Sequence, residues 1–214
     1  MQQIHTVAVI GGTGKSGKYL VSHLSNQGLH LKILVRNPQK INIQNSLAQI
    51  IIGDVRNYAD VKSLMTGCQA VISTLGLGLP PSEPTIFSMS TSHIIRAMHE
   101  CEVRRYIVTT GLNVDTPLDK KSEKVKAATA WMYANYPKST TDKQEEYRIL
   151  SESNIDWTMV RLPLIEQTEE RRKVSISLED CPSDKISATD LAYFLAEQLA
   201  DNMYIRKAPF ISND

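Results

Sequence analysis

The chain has 214 residues, 42% hydrophobic and 22% charged, with 24 Lys plus Arg against 23 Asp plus Glu and a net charge of +1. That length suits one domain able to bury its own core, and the composition excludes a disordered chain or a fibrous repeat. The even charge balance offers no electrostatic case for nucleic acid or an anionic membrane surface.

The opening MQQIHTVAVIGG lacks the basic and longer apolar regions of a signal peptide. No apolar run reaches the ~18 residues of a membrane span. A soluble, cytoplasmic protein without membrane contact is therefore expected. Thr6–Ile10 (TVAVI) is β-branched and unbroken, as in a strand covered on both faces. After a glycine-rich turn, Lys15–Gln27 reads as a helix with Tyr19, Leu20, His23 and Leu24 on one face and Gly28 as its C-terminal cap. Strands follow at Leu31–Val35, Gln49–Ile52 and Ala70–Leu75, with a short helix at Tyr58–Met65. Gly76–Pro84 holds three prolines and two glycines and reads as a loop. Ile86–Glu100 is helical through Ile94, Ile95 and Met98, and Tyr106–Thr110 is a strand. Leu112–Lys121 is polar and irregular, and Lys124–Tyr136 and Asp142–Ser153 look helical. Trp157–Arg161 is a strand stopped by Pro163, Val174–Leu178 a short one, and Ala188–Leu199 a helix behind Ser187. Repeated strand–helix alternation with right-handed crossovers predicts an α/β, doubly wound, Rossmann-like parallel sheet in a single domain spanning 1–214.

The most informative stretch is Gly11-Gly12-Thr13-Gly14-Lys15-Ser16-Gly17, placed between the first strand and the first helix. Both G-x-x-G-x-x-G and G-x-G-x-x-G spacings are present. Glycines there permit a tight turn and a close backbone approach to a pyrophosphate, which then faces a helix N-terminus. A P-loop is the competing reading, since Gly12–Lys18 nearly matches G-x-x-x-x-G-K-[ST]. Its Mg²⁺-binding hydroxyl would fall on Tyr19, whose phenol is no equivalent of the small Ser/Thr hydroxyl. The second strand ends in Arg36-Asn37 with no acidic residue, so Arg36 is placed for a 2′-phosphate and NADP(H) is the expected cofactor. Lys15 and Ser16 could add to that pocket. An ordinary surface arginine is the plainer alternative.

Together, VAVIGGTGKSGK, LVRNP, GDV at 53–55, ISTLG at 72–76, YIVTTG at 106–111, LSESNIDWTMVRLPL at 150–164 and KISATDLAYFL at 185–195 resemble a known group. It is that of the atypical short-chain dehydrogenase/reductase proteins with NAD(P)-binding domains. Within it the chain looks most like the NmrA-like and biliverdin reductase B (flavin reductase)-like branch. The resemblance implies that Gly11, Thr13, Gly14, Ser16 and Gly17 hold the phosphates and that Asp54 and Val55 border the adenine. It also implies that Thr74, Leu75 and Gly76 line the way to the nicotinamide ribose. Thr110 takes the family's Ser/Thr position, and Pro163 and Leu164 lie near the nicotinamide. Typical members use a Tyr-x-x-x-Lys pair, which is missing here. Lys143 stands at about the lysine's position, ahead of a Glu146–Ser153 helix, with Ser139 four residues earlier, where a helix N-cap is the other reading. Thr110 and Lys143 are thus the candidate catalytic residues.

Hydride transfer to a flavin, quinone or similar small conjugated acceptor asks less of the protein than alcohol oxidation, because the cofactor carries the chemistry. The alternative is an NADP(H)-binding redox-sensing regulator without catalysis. A sugar-nucleotide epimerase is disfavoured, because the acid–base pair is missing. A lid-like insertion about 112–140 carries Trp131, Met132, Tyr133 and Tyr136, which either stack on an acceptor or pack the insertion onto the sheet. Lys120, Lys121, Lys124 and Lys126 either attract an anionic flavin or form a solvated face. Cys68, Cys101 and Cys181 read as small buried hydrophobes. Five scattered histidines predict no metal site. A monomer or weak homodimer is expected.

Overall fold

The computed structural model describes residues 4–37, 39, 46–77 and 83–214. Pro38 of the LVRNP motif and the 78–82 part of the expected Gly76–Pro84 loop lie outside the described residues. Strands β1 (Thr6–Ile10), β2 (His30–Val35), β3 (Ala48–Ile52), β4 (Ala70–Ser73), β5 (Arg105–Gly111) and β6 (Asp156–Leu162) come first. They are interleaved with helices α1 (Gly17–Asn26), α2 (Tyr58–Met65), α3 (Ile86–Glu100), α4 (Glu123–Asn135) and α5 (Pro137–Glu152). The C-terminal part adds β7 (Leu164–Glu166), β8 (Val174–Ser177), β9 (Lys185–Ser187), α6 (Ala188–Glu197) and β10 (Phe210–Asn213).

The main sheet runs β3-β2-β1-β4-β5-β6-β10-β8. Neighbours from β3 to β10 are parallel, and β8 pairs antiparallel with β10 at the edge. The doubly wound α/β expectation is therefore met. Alternation along β1 sends Val7 and Val9 to one face and Ala8 and Ile10 to the other. The first face packs on Leu20 and Leu24 of α1 and Leu191 and Leu195 of α6. The second packs on Val61 and Leu64 of α2, Ile94 and Met98 of α3, and Leu150 of α5. Each such fully buried aliphatic side chain contributes roughly 1.5–3 kcal/mol, which offsets the cost of ordering the chain.

Several boundaries differ from the sequence reading. Helix α1 starts at Gly17, and its buried face is Leu20, Val21 and Leu24. Tyr19 is half-buried, and His23 stacks on Tyr193 with ring centroids 3.8 Å apart. Helix α5 starts at Pro137, so Lys143 lies within the helix rather than ahead of it. Ser139 is not an N-cap: it sits in the first turn and its hydroxyl donates to Tyr136 O at 3.2 Å. Strand β10 and the β7–β9 pair carry no local signal of their own and form by pairing with distant segments. Cys68 and Cys181 are buried, whereas Cys101 is half-buried.

Helix α5 buries a polar face made of Ser139, Thr140, Asp142 and Glu146, followed by Leu150. The partners across the helix pair explain it. Asp142 Oδ2 accepts from Phe87 N at 2.8 Å and Ser88 N at 3.4 Å, and Oδ1 accepts from the Ser88 hydroxyl. A carboxylate there satisfies free N–H groups at the positive end of α3.

Candidate functional site

The carboxyl ends of β1 to β6 open on a cleft of about 740 Å³. It lies where the strand order reverses between β1 and β4, the crevice in which open α/β sheets receive ligands. The turn after β1 contributes Gly11, Thr13, Gly14, Lys15 and Ser16. Arg36 follows β2, Asp54 and Val55 follow β3, and Thr74, Leu75 and Gly76 follow β4. Thr110 stands near the end of β5, Pro163 follows β6, and Lys143 enters from α5. Residues far apart in the sequence are thus gathered around one space.

Gly17 is the exception, because it does not line the cleft. A Cβ on Gly17 would stand 2.1 Å from Gly11 O, so this glycine lets α1 close against the turn. Gly11 has φ +78°, and a Cβ there would stand 2.7 Å from the Thr74 carbonyl carbon. Backbone strain and close approach both require glycine at this position. Gly14 N donates to Gly11 O at 2.9 Å and fixes the turn.

One end of the cleft favours anions. Arg36 is exposed at its rim, and neither Arg36 nor Lys15 makes an ion pair among the described residues. Asp54, the acid nearest that end, is held by Arg56 through Nη2–Oδ2 at 2.8 Å and Nε–Oδ1 at 3.0 Å. These bonds push the Asp54 pKa down, and the positive charge of Arg36 adds to the effect.

The other end has apolar walls from Ile86, Leu162 and Ile165. None of these three was singled out from sequence; Ile165 reaches the cleft through β7, which has no local signature. Two polar groups face this end. Thr110 Oγ1 is buried without a hydrogen-bond partner among the described residues. Lys143 Nζ sits 4.9 Å from the centre of the Phe87 ring. Burial pushes the Lys143 pKa down, and the neighbouring Glu146 carboxyl partly opposes that shift. A molecule in the cleft therefore meets one hydroxyl and one amine that make no hydrogen bond or ion pair among the described residues.

Trp131, Met132, Tyr133 and Tyr136 do not line this cleft. Trp131, Tyr133 and Tyr136 are exposed, which corrects the expectation that they pack the insertion onto the sheet. The lysine cluster is neither a free anion trap nor wholly solvated. Lys120 pairs with Glu179, Lys124 with Asp184 and Lys126 with Glu123. Lys121 is buried on Asp115 at 2.6 Å and Asp119 at 3.5 Å. No described helix is long and apolar enough to cross a membrane.

The sequence matches the NAD(P)H-binding family over residues 11–202. The chain belongs to the NAD(P)H-binding family. A short-chain dehydrogenase/reductase from Veillonella parvula DSM 2008, solved in complex with NADP, superposes with a TM-score of 0.78 and 16% identity. That superposition covers 99% of this chain and 95% of the other. An oxidoreductase from Lactococcus lactis gives 0.78 and 17% identity over 98% of this chain and 91% of its own. Both likenesses show the shared fold. The mitochondrial NADH-ubiquinone oxidoreductase 40 kDa subunit of Neurospora crassa is 26% identical over 122 residues, 52% of this chain and 32% of that protein. The chain spans a third or less of the length of the curated relatives it matches. In this NAD(P)H-binding protein the glycine turn and Arg36 border the same cleft.

Proposed function

We propose that this protein binds NADP(H) in preference to NAD(H) and acts as an oxidoreductase on a flavin, a quinone or a similar small conjugated acceptor. The observation that carries the cofactor choice is Arg36, a cation without an ion pair among the described residues, directly after β2 where an NAD-selective site would place an acid. The cramped glycines support the fit, since positions 11 and 17 have no room for a Cβ and let the turn close tightly against α1 and Thr74 at the edge of the cleft. In this reading Thr13, Gly14, Lys15 and Ser16 hold the diphosphate and Arg36 holds the 2′-phosphate. Asp54 and Val55 border the adenine. Thr74, Leu75 and Gly76 lead to the nicotinamide end, where Pro163 closes one side.

When bound, the reduced nicotinamide supplies a hydride. Thr110 donates a hydrogen bond to the carboxamide or to the acceptor. Lys143 orients a hydroxyl or carbonyl oxygen and gives it a proton. Ile86, Leu162 and Ile165 keep water away from that end of the cleft. Assignment to the flavin reductase-like or NmrA-like branch is part of the same proposal. No tyrosine lines the cleft among the described residues. That observation favours acceptors that need no tuned phenol, and it also supports a second reading, an NADP(H)-sensing regulator.

The test is NADPH oxidation by the purified protein with flavins, quinones and aldehydes, beside calorimetric titration of NADPH and NADH. Turnover with a flavin or quinone supports the oxidoreductase reading. Tight NADPH binding without turnover across the panel favours the regulator. Binding of neither dinucleotide overturns both.

A further inference from the structure

Beneath Lys143 lies a buried carboxyl group that the cleft itself does not display. Glu146 follows one turn later on α5 and is 2% exposed. Residues three apart on a helix share a face. On α3, Phe87 and Thr91 keep the matching register: the Phe87 ring meets Lys143, and Thr91 Oγ1 donates to Glu146 Oε1 at 2.7 Å. Thr91 Oγ1 also lies 3.2 Å from the hydroxyl of Tyr106 on β5. Glu146 Oε2 is buried and has no hydrogen-bond partner among the described residues. A buried carboxyl with one oxygen unpartnered and no ion pair among the described residues is costly to keep as a carboxylate, so burial favours the neutral acid.

We propose that Glu146 is a positioning residue for Lys143, holding beneath the cleft the proton that Lys143 exchanges with the bound molecule. This rests on the oxidoreductase reading above. The acceptor gains a hydride from the reduced nicotinamide, which is oxidised, and a proton from the Lys143 ammonium. Lys143 and Glu146 make no direct hydrogen bond or ion pair among the described residues, so the resulting amine regains a proton from the Glu146 carboxylic acid by way of a water entering the cleft, leaving a carboxylate. Water entering through the cleft then returns a proton to that carboxylate. The pair takes the place of the phenol that no described residue brings to the cleft.

The charged and titratable groups around Glu146 are few. Lys143 and Asp142 face it from α5, and Tyr106 faces it from β5; α3 presents the neutral Thr91 hydroxyl. Burial pushes Glu146 up to about 7, with Asp142 adding to the rise and Thr91 and Lys143 opposing it. Burial also pushes the Tyr106 phenol far above its ordinary range, so it stays neutral and serves as a fixed dipole.

The test is carboxyl-carbon NMR of glutamate-labelled protein without cofactor, with the Glu146 signal assigned through E146Q. Titration near neutrality is expected, with a midpoint that moves upward in K143M. In lysine-labelled protein, E146Q should move the Lys143 midpoint further down. Should E146Q fold poorly, T91V keeps the carboxyl and should raise the Glu146 midpoint. A Glu146 midpoint in the ordinary carboxylate range, or one indifferent to K143M, overturns the proposal. With cofactor and acceptor, E146Q should leave the NADPH Kd within about twofold, corresponding to ~0.4 kcal/mol, and shift the neutral limb of the kcat–pH profile. An unshifted limb contradicts the proton-holding role. If wild type binds no NADPH, the oxidoreductase reading fails, and the NMR result still stands or falls separately.

Discussion

Gly17 and Gly11 touch through their backbones: a Cβ on Gly17 would stand 2.1 Å from Gly11 O. No rotamer relieves a clash between a Cβ and backbone. G17A should therefore push α1 away from the turn. A stability loss of about 1–3 kcal/mol is expected from overpacking. NADPH affinity should fall by at least roughly tenfold, equivalent to ~1.4 kcal/mol. Urea unfolding beside calorimetry checks both, and an unchanged affinity would show that the turn does not meet the dinucleotide.

Thr110 supports a sharper separation of stability from function. Its hydroxyl is buried and has no partner among the described residues, and such a group typically costs about 1–3 kcal/mol. T110V should hold or raise Tm while turnover falls roughly tenfold, the effect of one lost hydrogen bond of ~1.4 kcal/mol. A lower Tm with unchanged turnover would give Thr110 a structural role instead.

The Glu146 carboxyl also predicts a pH effect on folding. Its pKa is raised from 4.5 to about 7 in the folded protein. The folded state therefore holds a proton that the unfolded chain releases. The contribution is full below the unfolded value and is lost as pH rises through the folded one. Relative to wild type, E146Q should gain up to roughly 3 kcal/mol between pH 4 and pH 8, at ~1.4 kcal/mol per unit. Urea unfolding of both proteins at the two pH values measures this difference. No gain would place the carboxyl in a better solvated setting.

Arg161 is wholly buried and joins three separate segments. It donates to Ala208 O at 2.8 Å, Val114 O at 3.1 Å, Leu178 O at 3.1 Å and Asp119 Oδ1 at 2.6 Å, and its guanidinium lies 3.5 Å from the Phe210 ring centre. R161M leaves three carbonyls and a carboxylate short of a donor. About 3–5 kcal/mol of stability should be lost. Denaturant midpoints check this; a loss below roughly 1 kcal/mol, the scale of a surface ion pair, would mean water replaces the guanidinium.

The legible part of this protein is the part encoded locally. The turn from Gly11 to Gly17, the β-branched runs and Arg36 after a strand are each readable within a few residues, and they mark the cleft because a parallel sheet gathers its strand ends on one edge. Arg161 reads as the polar end of WTMVR, yet β10 and the 112–121 segment bury it completely. Glu146 sits in PKSTTDKQEEYRILSE, a helix with so few apolar residues that its buried face is invisible from periodicity. Its burial depends on Thr91, 55 residues away. The exposed aromatics of α4 show the reverse case, since an apolar side chain can remain at the surface.

The most direct test of the account is calorimetric titration of wild type and R36A with NADPH and with NADH. Wild type should bind NADPH more tightly. R36A should lose roughly tenfold or more for NADPH, since a charge-assisted contact is typically worth ~1.5–3 kcal/mol, while NADH affinity changes little. Equal losses for both dinucleotides, or no preference in wild type, would contradict the assignment of Arg36 to the 2′-phosphate.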